Sequence, residues 1–324
     1  MAKELVSYSQ KELTRIGLDS LPAAIAAAGD DGIRRFIEFF AVTIRNKNTR
    51  LAYAQAIKQF FDWCELRGVR SLNRIAPVVV AGYIEHHKAS PPTVKQHLAA
   101  IRMLFDWLVI GQIVPHNPAT SVRGPKHVVK RGKTPVLTAD EARKLLDSID
   151  TSTIIGLRDR ALIGVMIYSF ARVGACVGMK VEDFYSEGKR WWLRLHEKGG
   201  KRHEVPAHHN ADEYLDAYFT AAETSAEKKS PLFRTIDRAG RITDRGMTRN
   251  DALRMVKRRA AAAGLSAKTS CHCFRATGIT AYLENGGTIE NAQAIANHES
   301  PRTTKLYDRT SDEITLDEIE RIAI

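Results

Sequence analysis

Long apolar runs are missing from this chain of 324 residues: its longest nearly uncharged stretch, residues 161–171, falls well short of the roughly 20 residues that cross a bilayer. A membrane span is excluded. Cysteine is scarce as well. Cys64, Cys176, Cys271 and Cys273 are too few for a disulfide framework in so long a chain, and a reducing compartment keeps them as thiols that serve packing. Near the start, Lys3, Glu4, Lys11 and Glu12 have no apolar run behind them. That is not the anatomy of a secretory signal, so a cytoplasmic location is expected. The 11 prolines and 21 glycines are scattered and no long period recurs, which excludes collagen-like and repeat architectures.

Cofactor and metal signatures are also lacking. There is no GxxxxGK[ST] phosphate loop, no HExxH and no tight carboxylate cluster, so neither ATP nor a catalytic metal is expected. Cys271-His272-Cys273 lacks the second ligand pair that a zinc site requires. The adjacent His208 and His209 point in different directions. No cofactor is implied.

Positive charge is what the chain has in excess, 49 Lys plus Arg against 37 Asp plus Glu, and it is unevenly placed. Residues 1–134 hold 20 basic and 10 acidic side chains, whereas residues 135–324 hold 29 and 27. An uncompensated cationic half gains free energy by displacing counterions from phosphates, which makes nucleic acid the leading partner. Charge alone leaves an anionic membrane surface or a plain solvated basic face open.

Apolar periodicity predicts helices over 48–66, with Asn48 or Thr49 as cap and Leu51, Ala54, Ile57, Phe61 and Cys64 on one face, then over 76–87 and 93–110. The first domain is thus expected to be all-helical, with Arg45, Lys47, Arg50, Lys95 and Arg102 as candidate phosphate contacts. Between Pro115 and Pro135 lie four prolines, two glycines and several basic residues with no acid, a composition that resists helix and strand. This is the expected linker, and its Lys126, Lys130, Arg131 and Lys133 suit a DNA backbone.

Thr138 to Glu141 matches a capping box and opens the second domain with a helix. Further helices are expected over 157–172, 211–223, 248–263, 272–283 and 289–297. One antiparallel hairpin should turn at Lys198-Gly199-Gly200-Lys201. The fold class is mainly α: an all-helical domain followed by a mostly helical mixed α/β domain with one small antiparallel sheet. Residues 312–324 combine five acids with Ile314, Leu316, Ile319, Ile322 and Ile324, which reads as a short helix packing on its own domain or on a neighbour.

The last fifty residues carry His272-x-x-Arg275, then His298, with Tyr307 following. Upstream lie Arg172 in SFARVGACVGMKVEDF and Lys198 in EKGGKRHEVP. Taken in this order, the set resembles the tyrosine recombinase family, the phage-integrase type of site-specific recombinase, from about residue 33 to the end. The chemistry can be stated from the residues: breaking a phosphodiester without a metal requires neutralised nonbridging oxygens and an in-line nucleophile. Arg172 and Arg275 offer permanent charge and bidentate geometry. His272, one helical turn from Arg275, can donate to phosphate or carry the tyrosine proton. Tyr307 needs a base or a cationic field, because a free phenol titrates near 10.

The resemblance implies that Tyr307 forms a covalent 3'-phosphotyrosyl link and that Lys198 protonates the departing 5'-oxygen, with Lys201 as the alternative acid. His298 is implied as a further phosphate donor. It also implies an arm over 1–32, a core DNA-binding domain over 33–122, a basic linker over 123–134, a catalytic domain over 135–311 and a docking helix over 312–324. The two domains would clamp double-stranded DNA carrying specific recombination sites. A homo-tetramer would act through a Holliday junction at the nucleoid, on a mobile genetic element, with DNA-bending proteins as accessory partners. One position departs from the family pattern: an acidic residue usual three positions after the first arginine is replaced by Ala175. A type IB topoisomerase or a DNA-binding regulator with impaired catalysis are the competing readings.

Overall fold

A computed structural model describes residues 13–14, 17–127, 129, 132–197, 200–223, 228–308 and 319–320. It divides into two units, Met1–Val128 and Val129–Ile324, and the division falls within the basic segment 123–134.

In the first unit, α1 (Ala23–Ala26) and α2 (Gly29–Glu38) lead into a π-turn over Phe39–Thr43. They are followed by α3 (Lys47–Leu66), α4 (Pro77–Glu85) and α5 (Pro91–Ile110). The sequence reading did not include α2, whose Asp30 and Asp31 complement the dipole of its first turn. The cap of α3 is Asn46, not Asn48 or Thr49: its side-chain oxygen accepts from both of their amides, at 2.9 and 3.1 Å. Leu51, expected on the apolar face, is 41% exposed, whereas Ala54, Ile57, Phe61 and Cys64 are buried. Pro91 and Pro92 start α5, where their missing amide hydrogens cost nothing. Edge-to-face rings hold the core together, Phe36 on Phe40 at 5.4 Å and Phe60 on Tyr83 at 5.2 Å. Leu18 and Ile25 are fully buried in it, so part of the stretch 1–32 expected as an arm belongs to this core.

The second unit starts with α6 (Ala139–Asp147), whose Thr138 and Glu141 side chains satisfy each other's amides as the capping box requires. Then come α7 (Ile154–Tyr168), α8 (Val173–Val177), β1 (Phe184–Glu187), β2 (Arg190–His196), β3 (Arg202–Pro206) and α9 (His209–Ala222). The remainder is β4 (Arg234–Ile236), β5 (Ile242–Gly246), α10 (Arg249–Ala262), α11 (Cys271–Glu284), α12 (Ile289–Ala296) and α13 (Pro301–Lys305). Strands β1, β2 and β3 form an antiparallel sheet in that order, with Leu193 opposite both Phe184 and Val205. A second sheet pairs β4 with β5, where the sequence reading expected only one. Its strands are too short and too polar to show an alternating pattern.

Helix α7 is buried around most of its circumference. The fully buried Asp159 carboxylate ties it to α10, accepting from Arg158 at 2.6 Å, Arg258 at 3.0 Å and Arg259 at 2.9 Å. The helix expected over 157–172 stops at Tyr168 because Phe170 takes a left-handed conformation, φ 54°. Arg172 therefore precedes α8 instead of ending α7. The helix expected over 312–324 lies outside the described residues except for 319–320.

Helix α11 crosses the end of α7 at Gly278, where a Cβ would lie 2.1 Å from the Ile167 carbonyl oxygen and 2.7 Å from the Phe170 ring. Alanine normally stabilises a helix relative to glycine. Here the backbone clash dominates, and Gly278→Ala is expected to destabilise this unit by about 1–3 kcal/mol. The denaturant midpoint of its unfolding transition should fall; an unchanged or higher midpoint would show that the helices can part freely.

Candidate active site

Three chain segments of the second unit meet around Arg275. It projects from α11, is 1% exposed, and donates through Nη1 to the Phe170 carbonyl and through Nη2 to the Ala296 carbonyl, the latter at 2.5 Å. These acceptors lie two residues before Arg172 and two before His298, so one guanidinium sets the position of both. Burial and the nearby Arg172 charge lower its pKa to about 10. It stays cationic at neutral pH.

Arg172 leads into α8 with its side chain 41% exposed, and its Nη1 donates to Glu197 Oε2 at 2.6 Å. Ala175, the departure from the family pattern, is buried in the unit's core. Glu197 was not among the candidates from sequence, although a signal for it existed. Strand β2 buries Leu193 and Leu195 by alternation, and the next residue in that phase is Glu197, whose side chain is 4% exposed. A carboxylate on an inward phase requires a partner.

Tyr307 follows α13 and is 7% exposed. The Thr280 hydroxyl of α11 donates to its carbonyl at 2.8 Å, and its own hydroxyl lies 2.9 Å from His272 Nε2. The His298 ring stacks on the phenol, 5.8 Å between centroids and 7° between planes. His298 is held in turn by Thr304, Nδ1 to Oγ1 at 2.9 Å, and by the left-handed turn at Asn297, φ 46°. Four of the sequence candidates, His272, Arg275, His298 and Tyr307, thus surround one pocket, and Arg172 is close enough for its charge to act on all of them.

The electrostatics leave the phenol and both imidazoles of the resting site un-ionised beside the charged arginines. Burial raises the Tyr307 pKa and the two guanidiniums pull it only partly back, so the phenol keeps its proton at neutral pH. His272 keeps an accessible edge, yet the desolvation of its ring by the surrounding atoms, and then the charges of Arg275 and Arg172, lower its pKa. Burial, then the same arginines, lowers His298 to about 3. Of the two aids expected for Tyr307, the cationic field does lower its pKa but burial outweighs it in the resting fold, leaving a neutral phenol beside a neutral imidazole able to accept its proton.

Lys198 lies outside the described residues, as do Lys130 and Arg131. The alternative acid, Lys201, is exposed and pairs with Glu299 at 3.0 Å. Hairpin residue His203 reaches the Ile295 carbonyl at 2.9 Å, anchoring β3 beside α12. Of the candidate phosphate contacts, Arg45, Lys47, Lys95, Lys126 and Lys133 are exposed. Arg50 instead donates twice to the Ile44 carbonyl, at 3.1 and 2.9 Å, and Arg102 to the carbonyls of Ala119 and Val122. Both guanidiniums stitch local backbone. All four cysteines are buried free thiols, Cys273 accepting from the Ser270 amide. Among the described residues no group of three potential metal ligands occurs and no helix is long and apolar enough to cross a membrane.

An imidazole kept neutral by the fold, but titrating near 6.5 when unfolded, leaves the folded state with fewer bound protons. The stability of this unit is therefore complete above that value and declines as pH falls toward about 3. His298→Gln should flatten this decline. Denaturant midpoints measured across the window will check it; identical slopes for parent and variant would contradict the assigned burial of the ring.

Residues 135–313 match the pattern described as "Phage integrase family", and residues 33–111 match "Phage integrase, N-terminal SAM-like domain". Tyrosine recombinase XerD of Listeria monocytogenes is 27% identical over 283 residues, 86% of this chain and 93% of that one. Tyrosine recombinase XerC of Chlamydia pneumoniae is 30% identical over 233 residues, 72% of each. Among solved structures, the XerH recombinase in a pre-cleavage complex with its difH substrate superposes with a TM-score of 0.62 at 18% identity, covering 99% of this chain and 90% of that one. A lambda integrase tetramer bound to a Holliday junction gives 0.63 at 20% identity, covering 87% and 79%.

Proposed function

The chain belongs to the phage integrase family and is a site-specific recombinase, and from that premise we propose that Tyr307 is the nucleophile that cuts and rejoins its DNA. The observation that carries this reading is the Tyr307 hydroxyl 2.9 Å from His272 Nε2, inside a pocket that also holds a buried arginine. The neutral imidazole accepts the phenol proton as the phenolic oxygen attacks phosphorus. The new oxygen–phosphorus bond forms as the bond to the 5'-oxygen breaks, leaving a 3'-phosphotyrosyl link and, once protonated, a 5'-hydroxyl. Rejoining runs the same steps backwards, so the phosphodiester energy is conserved and no nucleotide cofactor is consumed.

Arg172 and Arg275 neutralise the nonbridging oxygens, whose charge peaks in the transition state. With the Thr304 hydroxyl donating to His298 Nδ1, the ring proton sits on Nε2, where His298 serves as a further donor to the same nonbridging oxygens. Lys198 protonates the leaving 5'-oxygen, with Lys201 as the alternative. The lengthened helical unit and the basic segment 123–134 grip the duplex through exposed Arg45, Lys47, Lys95, Lys126 and Lys133.

Four protomers exchange two pairs of strands in turn through a Holliday junction, residues 312–324 docking between neighbours. This assembly is supported by the lambda integrase tetramer among the structural neighbours. Double-stranded DNA with specific sites, a cytoplasmic and nucleoid-associated place of action, and service to a mobile element complete the proposal.

Duplexes selected from a randomised pool by binding to the protein, then nicked beside the cleavage point, supply the test. The parent should accumulate a protein–DNA adduct that survives denaturing gels, and Tyr307→Phe should bind equally well and form none. An adduct persisting in Tyr307→Phe would overturn the assignment of the nucleophile. Products from a single unpaired site, without strand exchange between paired sites, would favour a topoisomerase.

A further inference from the structure

The two guanidiniums of the pocket are fixed in different ways. Arg275 is clamped by two backbone carbonyls and is almost wholly buried. Arg172 has a flexible side chain, 41% exposed, and among the described residues a carboxylate engages it, Glu197, at 2.6 Å. An unrestrained arginine samples many rotamers, and ordering it on substrate costs free energy that a prior contact removes. We propose that Glu197 is the positioning residue of this site, holding Arg172 in the orientation that receives the scissile phosphate.

The backbone of Glu197 supports the assignment. Its amide donates to the Lys201 carbonyl at 2.9 Å and its carbonyl accepts from the Gly200 amide at 3.2 Å, so its own backbone is pinned to Gly200 and Lys201 and its position is fixed. Gly200 makes the hairpin turn possible with φ 78°, a conformation that a side chain would strain. Strand alternation then sends the Glu197 side chain inward behind Leu193 and Leu195. The backbone bonds and the strand phase together fix the carboxylate that holds Arg172.

Charge adds a second reason. Arg172 and Arg275 repel each other, visible in the lowered pKa of Arg275, and Glu197 acts in the opposite sense on the same group. Of the five N–H donors of the Arg172 fork, the contact engages those of one terminal nitrogen, leaving an edge for phosphate. Position 175, where the family resemblance leads one to expect an acid, holds a buried alanine here. The supporting carboxylate enters from the sheet instead.

This inference rests on the phosphoryl-transfer reading, and its test separates the two. Single-turnover cleavage of the nicked duplex is measured at saturating DNA for the parent, Glu197→Ala and Glu197→Gln. Each is assayed on a phosphate and on a neutral methylphosphonate at the scissile position. Glu197→Ala should slow cleavage of the phosphate by about a hundredfold, the scale of a misplaced positioning group, with unchanged DNA affinity. Glu197→Gln keeps an acceptor oxygen and should recover most of that loss. On methylphosphonate, which has less charge for Arg172 to neutralise, Glu197→Ala should approach the parent. An undiminished rate for Glu197→Ala, or equal slowing on both substrates, would overturn the positioning role. Failure of the parent to form any Tyr307-dependent adduct would overturn the cleavage reading, and this inference with it.

Discussion

A guanidinium withdrawn almost completely from water at Arg275 is the constraint around which the second unit is arranged. Stranding that charge without compensation would cost several kcal/mol. The fold compensates it with two main-chain carbonyls, and each comes from an irregular point in the backbone: Phe170 in its left-handed turn and Ala296 at the end of α12. The irregularities are thus explained by the donor they serve, the Arg275 guanidinium. They interrupt regular helix where a carbonyl must face inward, and immediately downstream they release Arg172 and His298 toward the pocket. Gly278 lets α11 come close enough to α7 for the contact to be made.

Proton placement follows from burial and the same cations. Burial first, and then the positive charges of Arg275 and Arg172, keeps both imidazoles neutral, and burial keeps the phenol neutral as well. With Glu197 already paired to Arg172, the resting pocket still has a deficit of negative charge that an incoming anion can offset. In the proposed reaction the phosphate supplies it, and the protein needs no group with an inverted charge state to begin. The base is ready to accept because desolvation, aided by the surrounding cations, keeps it from being protonated beforehand.

Much of this was legible in the sequence, for identifiable reasons. The i, i+3 spacing of His272 and Arg275 placed them on one helix face, and the long amphipathic helices α3 and α5 announced themselves through apolar periodicity. The Thr138–Glu141 box marked a helix start because capping is a local, short-range interaction. What failed was non-local. Nothing in the residues near Phe170 predicts a left-handed turn; its cause is an arginine more than a hundred positions away. Arg50 and Arg102 look like surface cations until the carbonyls of Ile44, Ala119 and Val122 are found beneath them. Glu197 is an intermediate case: strand phase predicts that it faces inward, but the identity of its partner across 25 residues required the fold.

Phenol, imidazoles and both guanidiniums all belong to one polypeptide, their mutual contacts closing within the second unit. Such a centre has a genetic corollary. Two defective alleles, one lacking the phenol and the other a guanidinium, have nothing to lend each other by co-assembly if every subunit keeps its own phenol in its own pocket. Mixed oligomers would then contain only dead centres, and complementation between the alleles would be absent.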